Sequence, residues 1–295
     1  MKSGKCNCSR TDCNKKAYYA VNGKAYCGRH ADKSKRRHLP KSTETEKTAQ
    51  TKAEWLAIQA ARKKDNTPGE VHCAKRGVMK IPSEVGFFSV FPNDRATYPH
   101  TMSKLFMCQL SPKRMGPVDH NQPGLPKALN LENFHQFNKV FPCELDESGN
   151  PLPVFYERQG AAYLDPCAHR HKFERKDLPK QNANMPEYSI FVWIDDSEHR
   201  YSYVESRFFY CHFYEQMAKK TNEFAELVSL RNQGYNLLII GYDGRPIIDL
   251  YEMYLDESAP FGHELVLCCL LILDPVDYPW NRFRNEHKLL YPPEL

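Results

Sequence analysis

Four of the eleven cysteines, at positions 6, 8, 13 and 27, crowd the start of this 295-residue chain, and the other seven are scattered. An odd total rules out complete internal disulfide pairing. Met1-Lys2-Ser3-Gly4-Lys5 leads into cysteines and not into an apolar signal core, so the crowding points to a metal. Cys8-x4-Cys13, thirteen residues, then Cys27-x2-His30 supplies two ligand pairs, a spacing that lets tetrahedral zinc close around three thiolates and one imidazole. The intervening Ala17-Tyr18-Tyr19-Ala20-Val21-Asn22-Gly23-Lys24-Ala25-Tyr26 reads as a hairpin turning at Asn22-Gly23. The expectation is one structural zinc on Cys8, Cys13, Cys27 and His30. Cys6 either replaces Cys8 or remains a spare thiol.

Charge divides the chain at the same end. Residues 1–65 hold 17 Lys and Arg against 6 Asp and Glu, while the remainder holds 24 against 30. A short basic module beside a mildly acidic body suits a polyanion, because lysine and arginine gain affinity for nucleic acid by releasing condensed counterions. Lys33, Lys35, Arg36 and Arg37 would extend the positive face behind the last ligand. The plainer reading is a solvated basic tail, or a knuckle that binds protein. The ligand spacing resembles a short Cys-Cys-Cys-His motif of some algal and viral proteins, in which four such residues hold one zinc; the resemblance covers this segment alone.

Hydrophobic content of 41% and 26% charge belong to a globular chain and not to a disordered one. The longest apolar run, 265–273, falls far short of the roughly 18 residues that span a bilayer. No membrane partner is expected, and the location expected is intracellular, cytoplasmic or nuclear, in a cell or a virus. Residues 39–69 are rich in Pro, Ser, Thr, Glu, Lys and Gln around a helix-forming run at 53–62, which marks a linker with one helix whose Trp55, Leu56 and Ile58 pack on the body or a partner.

The body, 70–295, carries strand-like runs at 71–81, 86–91, 104–110, 153–158, 188–195 and 235–241, with six prolines between 92 and 126 reading as ordered loops around a site. Val204, Phe208, Cys211 and Ala218 recur at helical spacing, so 203–218 reads as a buried helix, followed by helices near 221–230 and 262–273. Strands and helices do not alternate regularly and no repeat is evident. The fold class expected is therefore α+β and not a doubly wound parallel sheet, with a small basic zinc-binding module at 1–38.

The most chemistry lies in Asn130-Leu131-Glu132-Asn133-Phe134-His135-Gln136-Phe137-Asn138-Lys139-Val140-Phe141, where Asn130 is an N-cap and Pro142 a stop, predicting a helix of three turns. At about 100° per residue, Glu132, Gln136 and Lys139 fall within roughly 60° of one another, and Phe134, Phe137 and Phe141 can anchor the other side. Glu132 and Lys139 would be about 10.5 Å apart along the axis, suited to bracketing a ligand. An exposed polar stripe is the competing reading.

Glu132-x3-Gln136-x-Asn138-Lys139, with an aromatic at Phe134, resembles the Glu-His-Tyr-Phe-Gln-Ala-Gln-Lys-Phe helix of the NADAR family, and Leu110-Ser111-Pro112 stands upstream near the place of that family's Ser-Asn-Phe loop. The resemblance is clearest across 105–141 and continues weakly through 207–230 and 262–271. Asn133 replaces the family's His, Asn138 its second Gln, and its Trp-Gly segment has no counterpart near Asp243-Gly244-Arg245. What the resemblance implies is an N-glycosidase acting on ADP-ribosylated nucleobases such as guanine, or on related ribosyl-amines. It implies Glu132 as acid, base or hydroxyl orienter, Lys139 as nucleophile or fixed charge, and Ser111, Phe134, Gln136 and Asn138 as substrate contacts. The opposing reading is a non-enzymatic zinc and nucleic-acid binding or structural protein. Burial against aromatics lowers a lysine pKa and a nearby carboxylate raises it, so both roles stay open for Lys139.

Three further groups carry chemistry. Cys167-Ala168-His169-Arg170-His171 has metal-capable side chains at alternating positions but no second ligand pair nearby, so a surface or strand-end role is favoured. Glu205, Arg207 and Glu215 read as ion pairs ahead of pocket residues. Gly262-His263-Glu264 opens the last helix, where an ordinary acidic first turn is favoured over a phosphate site.

Overall fold

The computed structural model describes residues 19–21, 24–26, 37–38, 46–77, 82–93, 104–171, 188–192 and 198–288. The chain divides into two units, Met1–Glu54 and Trp55–Leu295. In the first, β1 (Tyr19–Val21) lies between β2 (Lys24–Tyr26) and β3 (Arg37–His38) in an antiparallel sheet, and the hairpin register pairs Val21 with Lys24. Cys6, Cys8, Cys13, Cys27 and His30 lie outside the described residues.

A helix, α1 (Glu46–Asp65), runs from the first unit into the second. The second unit is mixed α+β, as expected. At its centre β4 (Val71–Lys75), β5 (Phe87–Phe91), β6 (Lys104–Phe106) and β10 (Asn236–Gly241) form a four-stranded sheet in the order β4-β10-β5-β6, with every pairing parallel. The composition of the strands explains this. Every residue of β5 and of β10 is buried, the pattern of strands covered on both faces, and the Leu237-Leu238-Ile239-Ile240 run has no polar side to show to water. A local reading misses the parallel order because β10 enters between β4 and β5 from far along the chain.

A second sheet, antiparallel, joins β7 (Lys139–Val140), β8 (Tyr188–Val192) and β9 (Glu198–Tyr201). Around the sheets pack α2 (Leu131–Phe137), α3 (Pro153–Tyr163), α4 (Tyr203–Ala218), α5 (Asn222–Asn232), α6 (Leu250–Leu255), α7 (His263–Ile272) and α8 (Pro279–His287). Residues 153–158, expected as a strand, begin α3 instead: Pro153 fits the first helical turn, where its missing N–H is no loss, and Gly160-Ala161-Ala162 continue the helix. The expected buried helix is α4, opened by Ser202 and Glu205 in a reciprocal capping box. Against α4 lies α7, whose residues 264–271 are all buried, and their Leu, Val and Cys side chains share one core with α4, β4 and β10.

At the α1 end of this unit the anchor is polar. Gln59, 2% exposed, accepts the Asn236 N–H at 3.2 Å and donates to the Gly86 carbonyl. Leu56 and Ile58, expected to pack, are exposed, although the Ile58 side chain reaches Gly86; the Trp55 side chain lies outside the described residues. Among the described residues no helix is long and apolar enough to cross a membrane.

Candidate functional site

Asn130 caps α2 as expected, its Oδ1 accepting the Asn133 N–H at 2.8 Å. The turn at Ser111 docks against this helix start: the Pro112 carbonyl accepts the Glu132 N–H at 3.1 Å and the Met115 carbonyl the Leu131 N–H at 2.8 Å. Ser111 is buried, and the turn it opens sets the height of Glu132. Asn133 is a fully buried tie, donating to the carbonyls of Ala162, Asp165 and Cys167 and accepting the His169 N–H.

The helix is shorter than its sequence suggests. It ends at Phe137, and Lys139 opens the strand β7 opposite Ser189. Asn138 is the cause: 1% exposed, it donates to the Phe134 carbonyl at 2.8 Å and the Tyr163 hydroxyl at 2.6 Å, and accepts from Gln122 at 3.0 Å and Gln159 at 3.1 Å. Its carbonyl accepts the Ile190 N–H at 3.1 Å, which commits the chain to the sheet. The shared helical stripe of Glu132 and Lys139 is therefore corrected to a helix-to-strand corner with one residue on each arm.

Charge still converges there. Burial pulls the Lys139 amine down from 10.5 to about 8; Glu132 and then Asp243 oppose that shift, while Arg170 and Arg207 add to it. Part of the Lys139 side chain touches solvent, and protein closes round the rest. Glu132, also partly exposed, accepts from Gln136 Nε2 at 3.2 Å. His135 packs on Tyr210 with ring centroids 4.5 Å apart, and burial, then the positive Lys139 and Arg207, hold its imidazole well below the usual histidine range. The Tyr210 phenol is pushed well above its ordinary value by burial first and then by Glu132 and Glu264. The surroundings of Lys139 thus hold acidic side chains, an imidazole held neutral and a phenol that keeps its proton.

Asp243 reaches this place by topology. β10 ends at Gly241, and in a parallel sheet the carboxyl ends of the strands are where loops can gather around a ligand. Glu264, the second residue of α7, lies against the same end: a Cβ on Gly241 would stand 1.5 Å from its Oε1, so only glycine admits the carboxylate there. By sequence, His135, Tyr210 and Asp243 are not site residues, and Glu264 counts only as part of the Gly262-His263-Glu264 helix start. Asp243 follows the apolar β10 run in an Asp-Gly turn that reads as punctuation, and Tyr210 sits in an aromatic run whose facing no local signal fixes.

Of the remaining expected residues, Phe134 is a core side chain, meeting Phe213 edge-on at 5.1 Å and stacked on His120 at 5.5 Å. Arg207 is buried and donates to the carbonyls of Tyr254, Asp256 and Ala259, and it forms no ion pair among the described residues. Glu205 serves the cap of α4, and Glu215 makes the expected ion pair, with Lys219 at 2.6 Å. His169 pairs with Asp165, His171 with buried Glu144, and Cys167 is exposed, which disperses that metal-capable run. Among the described residues no group of three His, Cys, Asp or Glu side chains is placed to hold a metal ion. No family model, curated protein or solved structure matches this chain.

Proposed function

We propose that this protein is an N-glycosidase of the NADAR type, releasing ADP-ribose from ADP-ribosylated guanine or a related ribosyl-amine, with a zinc module at residues 1–38 that brings it to nucleic acid. One observation carries the reading: a lysine amine brought to about 8 with two carboxylates acting on it. An amine of ordinary basicity is almost wholly protonated at neutral pH, whereas this one keeps on the order of a tenth in the free-base form at pH 7, enough to act as a nucleophile.

The chemistry follows from those groups. The neutral Lys139 nitrogen attacks the anomeric carbon as the carbon–nitrogen bond to the base breaks, the bond pair leaves with the base nitrogen, and the Glu132 carboxylate takes one proton from the lysine nitrogen and passes it to the base nitrogen. Opening of the sugar ring, with the amine proton passing to the ring oxygen, leaves an imine. Water adds to it and expels the lysine, so the adduct and one water become the unmodified base and ADP-ribose. Positive charge that develops on the sugar in the first step faces Glu132 and Asp243, where carboxylates stabilise it most.

Incubation of the full chain with DNA bearing ADP-ribosylated guanine tests this directly. ADP-ribose should be released, and Glu132→Gln should slow release by about 100-fold or more with the thermal unfolding curve unchanged. No release from a verified substrate would leave the zinc and nucleic-acid binding role as the function.

A further inference from the structure

Glu264 is 1% exposed, and its Oε2 accepts no hydrogen bond from any described residue. A buried carboxylate without donors is costly, so its retention beside the carboxyl end of β10 calls for a donor from a ligand. His263 Nδ1 stands 3.3 Å from Oε2 outside hydrogen-bond geometry, and the other ring nitrogen lies 2.8 Å from the Pro92 carbonyl, which can only accept. Nε2 therefore donates to that carbonyl, and the ring leaves Oε2 without an aligned donor.

The position of the carboxylate says what it faces. A Cβ on Gly262 would lie 2.8 Å from Glu264 Oε2 and 2.9 Å from the Cβ of Asp243, so the two acidic side chains flank that glycine. Asp243 acts on Lys139 from this side, Glu132 acts on it from α2, and Tyr210 feels both Glu132 and Glu264. A phosphate is excluded here: the α7 N-terminus, which would otherwise attract one, already has two carboxylates beside it. A neutral hydroxyl donor suits the place.

Resting on the glycosidase reading, we propose that Glu264 is the acceptor for the ribose 2′-hydroxyl, a specificity-determining contact that selects ribosyl over 2′-deoxyribosyl substrates. The 2′-hydroxyl is borne by the carbon next to the one Lys139 attacks, and such a bond strengthens as the sugar becomes cationic. Glu132 is then left for proton transfer.

Calorimetric binding of ADP-ribose and of its 2′-deoxy analogue, deoxygenated on the ribose that bears the reacting carbon, tests this with the full chain. The parent protein should bind ADP-ribose about tenfold more tightly than the analogue. Glu264→Gln should cut that ratio to about threefold or less and Glu264→Ala should abolish it. Equal affinity for the two ligands in the parent protein, or an undiminished ratio in both variants, overturns the proposal while leaving cleavage intact. A parent protein that neither binds ADP-ribose nor releases it from the adduct overturns the glycosidase reading and this contact with it.

Discussion

Burial that brings the Lys139 amine to about 8 also weakens the fold below that pH. Between the folded value and the unfolded value near 10.5, the unfolded chain holds a proton that the folded chain lacks, so stability rises with pH across this window and the penalty is complete below it. Lys139→Met should therefore stabilise the fold by about 2 kcal/mol at pH 7, and by much less above about pH 9.5, while abolishing cleavage. Denaturant melts of the two proteins at both pH values measure this; an equal gain at both would show that the amine is not desolvated. In the parent protein kcat/KM should rise with pH and level off near 8, because the reacting form is the free amine.

At the scale of elements, the corner between α2 and β7 depends on one side chain. Asn138→Ala removes the acceptor of Gln122 and Gln159 and the donor to Tyr163 and to the Phe134 carbonyl, leaving buried polar groups unpaired. It should cost about 2–4 kcal/mol in denaturant unfolding, and a loss below about 0.5 kcal/mol would mean that the network is not what ends the helix. The start of α2 was legible, because an N-cap is local chemistry between Asn130 and Asn133. Its end was not, because Asn138 stops the helix through Gln122, Gln159 and Tyr163, none of them visible in a helical window. The same contrast holds elsewhere. The bounds of α4 follow from its apolar spacing and its cap, whereas the parallel order β4-β10-β5-β6 and the arrival of Asp243 and Glu264 at one strand end are long-range facts that no local pattern encodes.

For the whole molecule, the boundary between Met1–Glu54 and Trp55–Leu295 directs where the chain can be cut. Removal of 1–65 would strip Gln59 from Asn236 and Gly86, and Arg62 from Glu70, and so damage the body as well as the basic module. Removal of residues 1–54 takes away 14 Lys and Arg against 5 Asp and Glu and leaves those contacts in place. That truncated protein should melt as the body does in the full chain, lack the proposed zinc site, and bind DNA with a flatter salt dependence, which titrations at several salt concentrations measure. Unchanged binding and slope would move the nucleic-acid surface to the body. Attack of Lys139 on the anomeric carbon is tested by borohydride treatment of the full chain during turnover of ADP-ribosylated guanine DNA, followed by peptide mapping. The expected result is an ADP-ribosyl adduct fixed on Lys139 and absent from Lys139→Ala; ADP-ribose release with no adduct at Lys139, or with the adduct on another lysine, would contradict it.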